Sequence, residues 1–204
     1  MEFFSSSTKL SQVSVSGWAV RRGYTVIPDI AAYGKAVGGG YPLAAVVGRR
    51  EVMETVAPPG KSLPAYVSGT LSGNPVAAAA GLATIDILEQ PGTYDHLFSL
   101  GAKMRAKLAE AFESSGHKAL VLGVGPIFQV LLPTNDVKLS ADQAINYRRI
   151  RGLQSDVDDF SSFLLNRGFL YTGRKGYLST AHDERQVDRA AQAAAEWTAT
   201  KDSR

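Results

Sequence analysis

The sequence has 204 residues, of which 45% are hydrophobic and 20% are charged, and its formal net charge is +3 at pH 7; these values are ordinary for one large or two small globular domains. It contains no cysteine, which excludes disulfides, thiolate-bound zinc and thiol catalysis, and its three histidines lack the spacing of a metal site. The small, dispersed positive charge argues against nucleic acid as a partner, no apolar run reaches the ~20 residues of a membrane span, and no signal peptide is visible, so we expect a cytoplasmic protein.

The N-terminal stretch shows little pattern. Residues 1–17 are serine-rich and predict a loose tail, in which residues 13–15 would form a short strand at most. A glycine-rich stretch then leads into an apolar run at 43–48, which predicts a strand, and into a short helix at 50–57. We expect Pro58, Pro59 and Gly60 to end that helix.

Two consecutive helices are well signalled in the middle of the chain. Asn74 is a good N-cap, Pro75 suits the first helical position, and Pro91 ends the first helix. The second helix is expected at 94–115, closed by Gly116. Its apolar residues recur at helical spacing along one face: Leu97, Leu100, Met104, Leu108 and Phe112.

After residue 116 the pattern changes to short apolar runs that predict strands. The first two run over 118–125 and 127–133 and are separated at Gly125-Pro126. Two more, at 169–173 and 176–181, predict a hairpin that turns through Arg174, Lys175 and Gly176.

Two further helices are expected near the C-terminus. Ser155 is a candidate N-cap for a helix that Gly168 closes. Asp183, with Gln186 three residues later, predicts a capping box that opens the last helix.

These elements predict three regions in the chain. The tail at 1–17 precedes a partial α/β domain at 18–92. A small α+β domain follows at 93–204, with helices on one face of a mostly antiparallel sheet. The fold class is therefore α/β followed by α+β.

One lysine lies in unusual surroundings. In PDIAAYGKAVGGGYP (28–42), Lys35 has only small or apolar neighbours and is followed by three glycines at 38–40. A solvated loop lysine is the ordinary outcome. A P-loop is excluded, because its lysine follows the glycines and precedes Ser or Thr, whereas Ala36 follows here. A third possibility is a Schiff-base lysine, whose amine attacks an aldehyde only when deprotonated, as a desolvated and crowded site favours.

Longer motifs place this lysine in a family context. The stretch from 28 to 58, followed by VSGTLSGNPVAAAAGLATIDIL at 67–88, resembles the second half of the class III pyridoxal-phosphate (PLP) aminotransferases. STAHDERQVDRA at 179–190 is similar to the end of these proteins, and the glutamate-1-semialdehyde 2,1-aminomutases are the most similar branch. The resemblance covers residues 28 to about 200. It implies a fragment of the fold type I PLP-dependent transferase large domain, followed by the small C-terminal domain.

The resemblance implies PLP as cofactor and assigns roles to three residues. Lys35 would form the Schiff base, and its freed amine would move a proton between the substrate carbon and the cofactor's C4′. Gly69 and Thr70 would bind the cofactor phosphate across a homodimer interface. Taken without the family, Thr70 is equally well read as a turn residue that bonds its own backbone, and Asn74 as a helix cap.

Two other residues match or suggest family roles. Arg174 is a candidate for binding the carboxylate of a small amino acid or oxo acid, because the arginine fork makes bidentate bonds. A solvated arginine at a hairpin turn is the alternative. His182 matches a family histidine, and we interpret it as structural.

The match fails towards the N-terminus, which leaves open whether the chain is an enzyme. In the family an upstream aspartate pairs with the ring nitrogen of the cofactor, whereas residues 8–24 contain no acidic residue. The chain is also about half the family's length. One hypothesis is therefore a PLP-dependent aminotransferase or aminomutase, as a homodimer or with a complementary N-terminal chain. The other is an inactive truncated remnant that retains the fold and a dimerisation surface.

Overall fold

The computed structural model describes residues 29–56, 69–132, 154–171 and 175–202. They belong to two compact units, Met1–Pro91 and Gly92–Arg204. Three expectations fall outside the described residues: the short strand at 13–15, the helix stop at Pro58, and the position of Arg174.

The first unit begins with an antiparallel pair of strands. β1 (Ile30–Tyr33) pairs with β2 (Ala45–Gly48), so that Ile30 lies opposite Gly48 and Tyr33 opposite Ala45. The segment between them contains a 3₁₀ turn, Lys35–Gly38. The strand predicted within 43–48 is thus confirmed.

Two helices follow among the described residues of the first unit, α1 (Arg50–Met53) and α2 (Pro75–Leu88). Asn74 caps α2 as predicted, because its Oδ1 accepts the backbone N–H groups of Val76 and Ala77, each at 3.0 Å. Pro75 fills the first helical position, where no N–H is needed.

The first unit has a small apolar core in its described part. Val37 of the 3₁₀ turn and Ile85 of α2 are buried against each other, with Tyr33, Leu43 and Val47 packed around them. Other large apolar side chains of this unit are exposed: Ile30, Tyr41, Val46, Leu71, Val76, Leu82 and Ile87. The described residues therefore leave much of the unit's apolar surface uncovered.

In the part of the second unit that the structure describes, three helices pack with one antiparallel sheet. Its elements in chain order are α3 (Thr93–Ser114), β3 (Leu120–Leu122), β4 (Ile127–Leu131), α4 (Gln154–Leu165), β5 (Gly176–Tyr177) and α5 (Glu184–Asp202). The sheet order is β3-β4-β5, and both pairings are antiparallel. The small antiparallel sheet predicted for this region is confirmed.

A large apolar core holds the described part of this unit together, beside a small cluster around Leu131. The apolar face predicted for α3 is buried at all five positions, and all of them except Leu97 belong to the large core with buried residues of β4, α4 and α5. Phe160 of α4 lies at its centre, with its ring edge-on to Phe112 at 5.6 Å and to Trp197 at 5.2 Å between centroids. Trp197 is only 2% exposed, and its Nε1 donates to Asp159 Oδ2 at 2.8 Å.

The capping box predicted at the start of α5 is present. The backbone N–H of Asp183 donates to Gln186 Oε1 at 2.8 Å, and the N–H of Gln186 donates to Asp183 Oδ1 at 3.0 Å. Further along α5, Asp188 accepts a hydrogen bond from Lys107 of α3, which raises the lysine pKa above its ordinary value. Each exposed pair of this kind adds little stability.

α3 also rests directly on the turn between β3 and β4. Arg105 donates from Nη1 to the carbonyl oxygens of Gly125 (2.7 Å) and Ile127 (3.2 Å), and partial burial lowers its pKa. A Cβ on Gly101 would lie 1.9 Å from the Gly125 oxygen. Only glycine therefore permits this approach of helix and turn.

Two predictions for the second unit were wrong. Ser155 lies within α4, which already includes Gln154, so it is not the N-cap. The predicted hairpin is wrong for its described part, because residues 169–171 form no strand and Gly176–Tyr177 pairs with Ile127 and Phe128 of β4; residues 172–174 lie outside the described residues. Tyr171 instead packs on β4 through its side chain, since its ring stacks on Phe128 at 5.8 Å between centroids and its hydroxyl oxygen accepts the Val130 N–H at 2.9 Å.

Candidate active site

Lys35 opens the 3₁₀ turn between β1 and β2, and its side chain is exposed. A desolvated and crowded site would favour a Schiff-base lysine, whereas the described residues leave the Lys35 side chain exposed. The turn buries Val37 and Gly38 against α2 and leaves Lys35 and Ala36 outside. The small residues near Lys35 therefore allow Val37 and Gly38 to pack closely. They do not enclose the lysine amine.

The backbone of Lys35 is left-handed, with φ at +56°. It is the only non-glycine residue with positive φ in the described parts of the chain. This conformation costs on the order of 1–2 kcal/mol for a residue with a Cβ, and lysine lacks the short polar side chain that eases it in Asn or Asp. Such strain persists only where the surroundings fix it, and it clusters at functional sites.

Two glycines bring the turn into direct contact with α2. Gly39, also left-handed at φ +57°, would place a Cβ 2.5 Å from Thr84 Oγ1. Gly81 of α2 would place a Cβ 2.3 Å from Leu43 Cδ2. The sequence reasoning missed Gly81 and Thr84, although a glycine inside a helical pattern indicates such close packing.

Gly69 and Thr70 lie in an exposed turn that leads into α2. Within this turn the N–H of Ser72 donates to the Gly69 oxygen at 2.9 Å, and the N–H of Asn74 to the Leu71 oxygen at 3.2 Å. The Asn74 side chain occupies two of the first N–H groups of the helix. An anion here would therefore meet the Thr70 hydroxyl and the turn rather than the helix end.

The segments that carry Lys35 and Thr70 meet α2 at different points along its length. The lysine turn docks at Thr84, ten residues after the cap Asn74, whereas Thr70 precedes the cap. At 1.5 Å per residue these two anchor points are about 15 Å apart along the helix. The described residues do not bring the two predicted cofactor ligands together through a shared contact.

Comparisons with known proteins identify the family. The family model "Aminotransferase class-III" matches residues 13–154. A glutamate-1-semialdehyde 2,1-aminomutase from Thermus thermophilus is 40% identical over 173 residues, which are 81% of this chain and 38% of that protein. The chain belongs to the class III aminotransferase family.

Solved structures of transaminases share the fold of this family member. An omega-transaminase from Sphaerobacter thermophilus is similar with a TM-score of 0.72 and 31% identity, over 87% of this chain and 40% of that one. A transaminase solved with PLP bound gives a TM-score of 0.74 at 24% identity, over 93% and 42%. The expected fragment of the fold type I transferase fold is confirmed, and the chain spans about two fifths of the length of these relatives.

The remaining candidates of the family match fall in the second unit. Arg174 lies outside the described residues. His182 closes the turn before α5, where its Nδ1 accepts the N–H of Ser179 at 3.0 Å and lies 2.9 Å from the Ser179 hydroxyl oxygen. These bonds give His182 a structural task.

Two side-chain groups of the first unit fit the aldehyde and the phosphate of PLP. An exposed amine is present at Lys35 and an exposed hydroxyl at Thr70. A Cβ on Gly40 or on Gly73 would have no neighbour within 4 Å, so open space lies beside both segments. The described acid nearest to the lysine in sequence, Asp29, forms an ion pair with Arg49 at 3.2 Å.

Two other kinds of site are not found in the described parts of the chain. No group of His, Asp and Glu side chains there has an arrangement that could hold a metal ion. None of the described helices combines the length and apolar character that crossing a bilayer requires.

Proposed function

We propose that this chain takes part in PLP-dependent transfer of an amino group on a small amino acid or oxo acid, as an aminotransferase or as an aminomutase. Lys35 would hold the cofactor through a Schiff base. The observation that carries the proposal is the left-handed backbone of Lys35, the one described non-glycine residue held in that conformation. It lies inside the family match.

When bound, PLP supplies an electron-withdrawing ring that makes the substrate carbon acidic. The residues of the chain hold the group and move protons. The Lys35 amine, once free, would carry a proton between the substrate carbon and C4′. The Thr70 hydroxyl and the N–H groups of the turn from Gly69 would hold the phosphate.

The family resemblance supports a site built from more than one chain. In that family the matching threonine binds the cofactor phosphate across the dimer interface, so we take Thr70 of a second copy as the partner for Lys35 of the first. We therefore propose a homodimer. A complementary chain that supplies the rest of the family's domain would meet the same need.

A non-catalytic role is the second candidate. It is favoured by residues 8–24, which contain no acid to pair with the ring nitrogen of the cofactor. Without that anion the ring withdraws electrons poorly. Such a chain would bind PLP at Lys35 without moving an amino group.

Borohydride trapping tests the proposal. The purified full chain is incubated with PLP, reduced, digested and mapped by mass spectrometry. We expect the label on Lys35 and none in Lys35→Ala, whereas Lys175→Ala, which removes an exposed lysine of the second unit, should retain it. Thr70→Val should lower the affinity for PLP about tenfold, because it removes a hydrogen bond to a charged group.

The outcomes separate the candidates. A label spread over several lysines, or no label at saturating PLP, contradicts the proposed site. A label on Lys35 together with exchange of amino groups between small amino acids and oxo acids supports the enzyme. A label without exchange, also when a complementary chain is added, supports the non-catalytic role.

A further inference from the structure

The left-handed conformation of Lys35 needs an external cause. Its φ of +56° is unfavourable for lysine, and the preceding Gly34 is fully extended at φ −166° and has no side chain that could hydrogen-bond to the turn. Within the turn the N–H of Gly39 donates to the Ala36 oxygen at 3.1 Å, but this bond closes residues that follow the lysine. The contacts between the turn and α2 supply a further restraint.

Both ends of the lysine segment are fixed by the strand pair. Tyr33, two residues before the lysine, lies opposite Ala45 in the antiparallel register. On the far side, the N–H of Leu43 donates to the Tyr41 oxygen at 2.8 Å, and the N–H of Tyr41 to the Gly38 oxygen at 2.9 Å. The ends of the segment are therefore held, and its middle packs against α2.

Two glycines lie where the segment packs most tightly on α2. Gly39 faces Thr84, whose hydroxyl is held in place by a 2.8 Å hydrogen bond to the Ala80 oxygen. Gly81 faces Leu43, and its missing Cβ would also lie 3.4 Å from the Val37 oxygen. Gly39 lies in the turn and Gly81 in α2. Each glycine leaves room for a side chain of the other segment, Thr84 and Leu43 respectively.

We propose that Gly39 with Thr84 and Gly81 with Leu43 are positioning residues for Lys35: their contacts hold the turn on α2 and thereby keep the lysine backbone left-handed. The direction of the Cα–Cβ bond depends on φ, so a return to the right-handed conformation would point the side chain elsewhere. This inference rests on the proposed function in one respect, the role of the Lys35 amine towards PLP. The positioning itself is a property of the chain without cofactor.

The test measures backbone and chemistry separately in the full chain. The three-bond coupling between the amide and α protons of Lys35 reports φ without cofactor, and the rate of PLP labelling at Lys35 reports the amine. Gly39→Ala should move the coupling towards the right-handed value and slow labelling about tenfold. Adding Thr84→Ala to that variant should recover part of both, because it removes the steric conflict and leaves only the cost of φ.

Gly40→Ala is the matched control. It also adds a Cβ at positive φ, +95°, but this Cβ would meet nothing within 4 Å. It should leave the Lys35 coupling at the wild-type value. If Gly39→Ala fails to fold, Gly81→Ala should shift the coupling and the size swap Gly81→Ala with Leu43→Ala should restore it.

Three results would overturn the proposal: an unchanged coupling in Gly39→Ala and Gly81→Ala, an equal shift in Gly40→Ala, or no recovery in the paired variants. Failure of the proposed function looks different. In that case wild-type Lys35 is not labelled by PLP, while the coupling still follows the glycine variants.

Discussion

Asn74 and Asp183 determine where two of the helices begin, and both do so through hydrogen bonds to backbone N–H groups within three residues. The Asp183 cap is reciprocal, since Gln186 returns a bond to the Asp183 N–H. The first N–H groups of a helix have no partner within the helix, so these bonds supply what the helix itself lacks.

Asp183→Ala removes the acceptor of this box. We expect a loss of about 1 kcal/mol in the free energy of unfolding, measured by urea denaturation, because one N–H of α5 then lacks its partner. Asp158→Ala is the control, since it removes an exposed carboxylate that makes no ion pair with a described residue and should change stability by less than ~0.5 kcal/mol. Equal effects of the two variants would show that the box contributes nothing beyond surface charge.

The caps could be predicted from the sequence because they are local. The exposure of Lys35 and the partner of β5 could not, because both depend on residues far away in the chain. The turn that holds Lys35 packs on Thr84, and Gly176 pairs with Phe128. Residue propensity and spacing do not indicate which residues far away in sequence will be in contact in the fold.

At the scale of elements, α4 is held in place by the aromatic rings that pack around Phe160. The Phe160 ring is fully buried and lies edge-on to Phe112 of α3, to Trp197 of α5 and to Tyr171, the last at 5.9 Å between centroids. Edge-on rings add to the effect of burial because the positive edge of one meets the negative face of the next. One side chain thus joins three helices.

Phe160→Ala should therefore destabilise the second unit strongly, by about 3–5 kcal/mol, because it leaves a cavity among these rings. Leu165→Ala on the same helix is the matched control, since Leu165 is 58% exposed and its loss should cost less than ~0.5 kcal/mol. Thermal and urea unfolding followed by circular dichroism measure both. A loss below about 1 kcal/mol for Phe160→Ala would mean that the helices repack without it.

At the scale of the whole molecule, the two units differ in how much apolar surface they bury. The described part of the second has a large core drawn from α3, α4, α5 and β4, beside a small cluster around Leu131. The described part of the first buries mainly Val37 and Ile85 around the lysine turn, and leaves apolar side chains of β1, β2 and α2 exposed. A two-stranded sheet with so small a core is marginally stable in water.

Native-state hydrogen exchange should show this difference directly. Amides of α3 and α5 should exchange only by opening of the entire second unit, whereas amides of β1 and β2 should exchange by local opening at least about tenfold faster. Mass spectrometry of peptic fragments measures both in one sample of the full chain. Equal protection in β1 and α3 would show that the first unit is as well consolidated as the second.

The same surfaces bear on association. Exposed apolar side chains on both strands and on α2 are typical of a surface that another chain or segment covers. This agrees with a site completed by a second copy or by a complementary chain. The lysine turn, which is fixed on α2 from within the chain, does not need that cover for its conformation.

The burial of Trp197 has a practical consequence. The chain has two tryptophans, and the other, Trp18, lies outside the described residues. Replacing Trp18 by phenylalanine would leave Trp197 as the single indole. It is buried against the rings of Phe112 and Phe160, and its Nε1 donates a hydrogen bond to the Asp159 carboxylate. The tryptophan fluorescence of that variant would then report on the folding of the second unit alone, measured in the intact polypeptide.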